Sequence, residues 1–188
     1  MKDKFAVIDT ETTWSDQVML IGVVIADAQT QEMLEAKYFL IDPEYRYGGM
    51  YSDVLKMPGI KDTITDNRAN ILATIDEWLK ENKIKRILAY NASFDRNHLP
   101  ELSQYIWCDI MRLAAYRQYN TKIPANVECY GTGRMKSGYG VQSILCMIGN
   151  DKSYEETHNA YFDALDELRI VQLLGHSIET YDRTVISG

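Results

Sequence analysis

The stretch from Phe5 to Trp14 constrains this chain more than any other. Phe5-Ala6-Val7-Ile8 is apolar and partly β-branched, which predicts a strand buried on both faces, and it leads directly into Asp9 and Glu11. If the strand persists through Thr10, its period of two sets both acids on one face with Thr10 opposite. Like charges side by side at the end of a buried strand repel, so the fold needs a reason to keep them. A bound divalent cation is one reason, because hard cations take carboxylate oxygens. A turn cap at Asp9 beside a solvated Glu11 is the other. The choice depends on whether the rest of the chain supplies partners.

Length and composition narrow the class. A chain of 188 residues suits one domain with a core of its own, a body over about 5–175 and a short polar tail. The net charge of −7 argues against coating nucleic acid by bulk electrostatics, yet it leaves room for local contact with phosphates through metal ions. Cys108, Cys129 and Cys146 are odd in number and widely spaced, which speaks against a disulfide framework and against a zinc site. Only four apolar residues separate Lys4 from Asp9, so no signal peptide is expected, and no apolar run approaches the ~20 residues that span a bilayer. The expectation is a reduced, cytoplasmic protein with no membrane partner.

The remaining elements follow from pattern. Val18 to Ala26 and Met33 to Ile41 read as a second and third strand, joined by short turns into an antiparallel meander. Residues 43–66 look loop-rich, with a short helix near Ser52 to Lys56. Ile71, Leu72, Ile75, Trp78 and Leu79 mark one face of a helix that Asp66 or Asn67 caps and that ends near Asn82. Through that crossover, Arg86 to Tyr90 becomes a fourth strand parallel to the first. Ser93 is placed to cap a helix interrupted at Pro100, Tyr105 to Cys108 is a fifth strand, and Asp109 caps the helix after it. A polar loop over 119–139 precedes helices at Val141 to Ile148 and Asn159 to Gly175. His98 and His176 lie in no motif and read as surface residues.

Three polar clusters stand where strands end or helices begin, which is where open α/β sheets build their sites. They are Asp9/Glu11, Asn91 to Asp95, and His158 to Asp163. Asp9-Thr10-Glu11-Thr12-Thr13, Tyr90-Asn91-Ala92-Ser93-Phe94-Asp95 and His158-x-Ala160-x-x-Asp163-Ala164 resemble, in order, the three motifs of the DnaQ-like, DEDDh 3′–5′ exonucleases. Cys108 to Ala114 is similar to the segment after the fifth strand of that family. The resemblance implies an α/β, RNase H-like fold, with a mixed five-stranded sheet (three antiparallel strands, then two parallel) flanked by helices. Geometry supports the histidine-type subclass. His158 and Asp163 are about 140° apart on an ideal helix, so they meet only if Asn159 caps and His158 lies in the preceding loop. In the tyrosine-type subclass the catalytic tyrosine stands four residues before the aspartate, and that position here is Asn159.

What the family implies for activity is two-metal hydrolysis at the 3′ end of single-stranded nucleic acid, DNA first, releasing nucleoside 5′-monophosphates. Asp9 would bridge both ions, Glu11 and Asp163 complete the site that activates water, and Asp95 support the second ion. Mg²⁺ is the expected ion, with Mn²⁺ a substitute. His158 would take the proton from the attacking water, as a general base. Candidate substrate contacts are Thr10, Thr12, Thr13, Trp14, Asn91 and Phe94, and the Tyr130 to Tyr139 loop is a candidate for the nucleic-acid backbone. Single-stranded DNA or RNA 3′ ends are the expected partners, a homodimer is open, and the end of the chain soon after the last helix favours a free-standing exonuclease over a polymerase subunit. The His-Gly-Ile-Thr segment common after the third strand is missing, Leu20 stands where an acid is frequent and Tyr90 where a histidine is. These departures bear on substrate preference, leaving an exoribonuclease as the alternative. A non-catalytic binding module on the same fold is a third reading.

Overall fold

The computed structural model describes residues 3–60 and 62–186. One mixed sheet organises them. Its strands are β1 (Lys4–Thr12), β2 (Val18–Asp27), β3 (Met33–Ile41), β4 (Thr63–Asp66), β5 (Arg86–Ala89) and β6 (Ile106–Asp109), in the order β4-β3-β2-β1-β5-β6. The first three form the expected antiparallel meander, and β5 and β6 run parallel to β1. The sheet therefore has six strands rather than five. The additional strand, Thr63-Ile64-Thr65-Asp66, pairs parallel with β3 at the edge. It is too short and polar to give an apolar period, since only Ile64 turns toward the core.

The two faces of β1 set the layers. Phe5 and Val7 pack with Val24 and Ala26 against α5 (Val141–Ile148) and α6 (Ala160–Leu174). Ala6 and Ile8 pack with Ile21, Val23 and Ile25 against α2 (Arg68–Glu81), whose Ile71, Leu72, Ile75, Trp78 and Leu79 are all buried. With apolar residues on both sides, β2 is buried along its whole length, as a central strand between helical layers must be. Asn67 caps α2 by accepting the N–H of Asn70 at 3.1 Å.

The connecting segments differ more from expectation. In the 43–66 region, α1 is a single turn (Glu44–Tyr47) and a 3₁₀ turn spans Ser52–Val54. The helix after β5, α3 (Ser93–His98), has Ala92 at its N-cap position, so Ser93 is its first residue and not its cap. A separate 3₁₀ turn begins at Pro100, which lacks the N–H needed to continue α3. Asp109 does accept the Met111 N–H at 2.9 Å, but the helix it opens, α4 (Met111–Ala114), is only one turn and stops short of Arg117. The cysteines are free, as their spacing suggested.

The residues after Gly175 are not a loose polar tail. Ile178–Thr184 form a 3₁₀ segment that buries Ile178, Tyr181 and Thr184, and the Ile186 N–H donates to the Trp107 carbonyl at 3.0 Å, covering the outer edge of β6. Its apolar residues are too sparse to show a period. No helix among the described residues is long and apolar enough to cross a membrane.

Candidate active site

The face alternation of β1 continues into its polar end. Phe5 and Val7 look toward α6, so Asp9 and Glu11 do too, while Thr10 looks the other way. Asp9 is half-buried, with its Oδ2 enclosed and without a hydrogen-bond partner. Directly across the ladder from Asp9 is Gly22 of β2. A Cβ there would lie 1.8 Å from the Ala160 carbonyl oxygen and 2.7 Å from the Tyr161 nitrogen. The missing side chain is what lets the N-terminus of α6 press onto the sheet beside the acids. A register shift between Glu11 and Thr12 then ends the regular strand.

The second cluster turns off β5. Asn91 adopts a left-handed conformation (φ +61°), which asparagine tolerates, and its N–H donates to Asp109 Oδ1 at 3.1 Å. That turn points α3 back across the end of β1. Asp95, in the first turn of α3, is buried there and accepts the Thr10 hydroxyl at 2.8 Å.

The third cluster enters α6. Asn159 is fully buried; its Oδ1 accepts the Tyr161 N–H at 3.1 Å, and its Nδ2 donates to the Val54 carbonyl at 2.7 Å and the Tyr38 hydroxyl at 3.1 Å. This is the N-cap that the His158–Asp163 spacing requires. His158, just before it, takes a left-handed φ of +53° and stacks on the Tyr51 ring, with centroids 4.3 Å apart and planes 14° apart. One ligand atom each of Glu11, His158 and Asp163 lies within 4.8 Å of the others, about twice a metal–oxygen bond. Asp163 Oδ1 is buried and unpartnered.

A further acid lies one turn along α6. Glu167 is 1% exposed, and its Oε2 has no partner. It falls in the buried stripe that runs through Ala164, Leu168 and Val171, where an ionisable residue has no packing reason to be. Sequence reasoning gave it no role. The available signal was its position: four residues after Asp163, on the same helix face, inside an apolar stripe.

These acids raise one another's pKa. Burial first, then the charge of Glu167, followed by Asp95, Asp163 and Glu11, pushes the Asp9 carboxyl well above its ordinary range. Burial with Asp95 and Glu156 nearby lifts Glu11 to about 8. Asp163 is raised by burial and by Glu156, Glu11 and Asp166. Asp95 is also raised by burial, opposed by the Thr10 hydroxyl. Enclosed carboxylate oxygens without donors are the donor set that a hard divalent cation satisfies, and the residues present fit such an ion.

The candidate substrate contacts differ in setting, and Thr13 both lines the cleft and is held within the protein. Thr12, Thr13, Trp14 and Phe94 line an open cleft of about 310 Å³ together with Glu11, Met50 and Tyr51. Trp14 is 73% exposed, and the exposed Phe94 ring leans on His98 at 4.3 Å. Thr10 and Thr13 are engaged within the protein. The Thr10 hydroxyl holds Asp95, and Thr13 is buried, its hydroxyl accepting the Gln17 N–H at 3.2 Å. Asn91 is exposed, and its backbone makes the turn.

The Tyr130 to Tyr139 loop is tethered: the Tyr90 hydroxyl donates to the Tyr139 carbonyl, Arg134 donates to the Tyr139 hydroxyl at 2.9 Å, and Lys136 pairs with Glu128 at 3.2 Å. His98 and His176 are half-buried rather than surface residues, His98 meeting Asp16 at 3.1 Å and His176 the Tyr119 carbonyl at 2.8 Å.

This arrangement of sheet and helices is a fold shared by solved 3′-exonuclease structures. Among the solved structures that share it is the nuclease domain of 3′hExo, a DEDDh family member, bound to rAMP (TM-score 0.63, 18% identity, covering 91% of this chain and 90% of that one). Exonuclease X in complex with 5′ overhanging duplex DNA is similar at TM-score 0.54 and 18% identity, over 96% and 99% of the two chains. E. coli exonuclease I, in complex with a 5cy-dT13 oligonucleotide, matches at TM-score 0.63 and 16% identity; 97% of this chain covers 42% of that longer one. No protein-family model and no curated protein sequence matches the chain.

Proposed function

We propose that this protein is a metal-dependent 3′–5′ exonuclease that removes nucleoside 5′-monophosphates from single-stranded 3′ ends. One observation carries the reading: Glu11 at the end of β1 and His158 and Asp163 at the start of α6, distant in sequence, lie in mutual reach of one ion beside an open cleft that Glu11 lines. Asp9, Glu11, Asp95 and Asp163 would hold two divalent ions, Mg²⁺ by expectation, which when bound supply charge neutralisation, an activated water and a stabilised leaving alkoxide.

The chain's own contribution is position. Thr10 fixes the Asp95 carboxylate, and the Asn159 cap fixes the start of α6 so that Asp163 faces Glu11. His158 is the base: its left-handed backbone turns the ring out of the helix toward Asp163, and Tyr51 holds the ring plane. Trp14 and Phe94 offer exposed aromatic faces on the cleft for stacking by the terminal bases.

The deciding assay incubates the protein with 5′-labelled single-stranded DNA and RNA, with Mg²⁺ or Mn²⁺ and with chelator. A metal-dependent ladder shortening from the 3′ end is expected, and the two substrates compared separate a deoxyribonuclease from an exoribonuclease. Cleavage of neither substrate under any metal would rule the enzyme out. Asp9→Asn and Asp163→Asn are expected to abolish shortening with the fold retained by circular dichroism. His158→Ala should cost about a hundredfold or more, the range for losing a general base.

A further inference from the structure

The ligand group that β1 and α6 bring together contains a histidine as well as two acids. One nitrogen of the His158 ring and one carboxylate oxygen each of Glu11 and Asp163 lie within 4.8 Å of one another. Three further observations leave this group open to an ion. Asp163 is 4% exposed, and its Oδ1 is enclosed without a partner. Tyr51 meets the His158 ring face to face, at 4.3 Å and 14°, which leaves the nitrogens on the ring edge outside that contact. Glu11 and Tyr51 both line the cleft of about 310 Å³, so solutes reach the group from outside.

This geometry sets two uses of one lone pair against each other. A ring nitrogen that takes a proton from water needs its lone pair free, and one bound to a metal has already donated it. The chemistry of the ion decides between them. Mg²⁺ takes oxygen ligands, keeps several of its waters and leaves imidazole alone. Zn²⁺ accepts imidazole nitrogen at about 2.0–2.1 Å and carboxylate oxygen at about 2.0–2.2 Å, and three protein ligands suffice to hold it. Around a tetrahedral ion such ligand atoms stand about 3.3 Å apart, so side-chain movements of no more than about 1.5 Å close the group on zinc.

We propose that Glu11, His158 and Asp163 form a zinc-selective site in which the histidine becomes a ligand, so that Zn²⁺ blocks the centre that Mg²⁺ activates. This rests on the exonuclease reading above, in which His158 is the base. The left-handed backbone at His158 and the Asn159 cap behind it fix the ring beside Asp163 before any ion arrives, so little reorganisation opposes binding. His98 serves as a control within the same chain. Its Nε2 already meets Asp16 at 3.1 Å and its Nδ1 the Phe94 carbonyl at 2.9 Å, and it stands outside the group.

The test measures Zn²⁺ binding to the full chain without nucleic acid, by competition with a chromophoric chelator, and Mg²⁺ binding by the rise in melting temperature. Wild type is compared with His158→Asn, Asp163→Asn and His98→Ala under reducing conditions. Asparagine tolerates the left-handed backbone at position 158, and His158→Gly makes the same comparison if His158→Asn does not fold. The expected result is Zn²⁺ affinity at least about tenfold weaker in His158→Asn, since even an outer partner of a metal ligand is worth that much, with the Mg²⁺ shift at its wild-type value. Asp163→Asn should weaken both ions and His98→Ala neither. Stoichiometric Zn²⁺ should also stop 3′ shortening by the Mg²⁺-loaded protein, and a zinc-preferring chelator should restore it. Zn²⁺ affinity in His158→Asn within threefold of wild type overturns the proposal, as does a loss in His98→Ala that matches the one in His158→Asn. Equal loss of both ions in His158→Asn makes His158 a structural residue and overturns it too, and so does continued shortening at full zinc occupancy. Wild type that binds neither ion defeats the metal centre on which the proposed function rests. Wild type that is stabilised by Mg²⁺ but binds no Zn²⁺ defeats the zinc site alone.

Discussion

At the scale of single residues, the site depends on side chains whose work is to hold other side chains. Thr10 spends its hydroxyl on Asp95, Thr13 shapes the turn after β1, and Asn159 ties α6 to Tyr38 and Val54. Tyr51 is the clearest case, because its contact with His158 is a parallel stack rather than a hydrogen bond. The aromatic face is what matters there, so Tyr51→Phe should leave turnover close to wild type. Tyr51→Ala should lower kcat roughly two- to tenfold, the worth of one aromatic stack, with Mn²⁺ affinity unchanged. Equal loss in both variants, measured on a labelled oligonucleotide, would show that the hydroxyl and not the ring serves the site.

At the scale of elements, the decisive contact is α6 on β2. A methyl group at Gly22 would meet the backbone of Ala160 and Tyr161, which cannot swing aside as a side chain can. Gly22→Ala should therefore lift the first turn of α6 away from Asp9, costing about 1–3 kcal/mol in urea unfolding and most of the activity, whereas an isolated loss of stability with full activity would contradict this docking. The segment after α6 makes a second prediction. Tyr181 is fully buried against the α5/α6 layer, so Tyr181→Ala should cost on the order of 3–5 kcal/mol, read by the same unfolding curves. These two elements also mark what the sequence could tell. Strong periods made β1, β2, β3, α2 and α6 legible, and Asp9, Glu11, Asp95, His158 and Asp163 stood out as candidates because they cluster where strands end or helices begin. What escaped had no period to read: the four-residue polar β4, and a chain end whose 3₁₀ segment buries Ile178 and Tyr181 with Ile186 just beyond it. The cap of α3 escaped as well, because a left-handed turn at Asn91 and a distant acceptor at Asp109 replaced the local serine. Glu167 was hidden for the opposite reason: a helix wheel records it as one polar residue among many, and its burial shows only in the packed structure.

At the scale of the whole molecule, the concentration of acid in one cleft makes stability depend on pH and on cations together. Glu11 has its pKa raised from 4.5 to about 8 in the folded protein, and Asp9, Asp95, Asp163 and Glu167 are raised as well. A carboxyl raised on folding binds its proton more tightly in the native state than in the unfolded chain. Between its unfolded and folded values the native state therefore holds more protons, and the free energy of unfolding falls as pH rises through that window. For Glu11 the window runs from about 4.5 to about 8. The paired acids Asp76, Glu101 and Asp182 are shifted down, so their contribution is lost only at lower pH and does not mask the trend. On the proposed metal-centre reading, a divalent ion would bind the ionised cluster and add stability where protonation no longer relieves the repulsion. In chelator the melting temperature should fall from pH 5 to pH 8, and the gain on adding Mg²⁺ should be larger at pH 8 than at pH 5. Asp163→Asn, with one charge fewer, should flatten the fall in chelator and reduce the Mg²⁺ gain. A melting temperature in chelator that is level or rising across this range would mean that the carboxyls are already compensated by the protein itself, and the cluster would then need no ion.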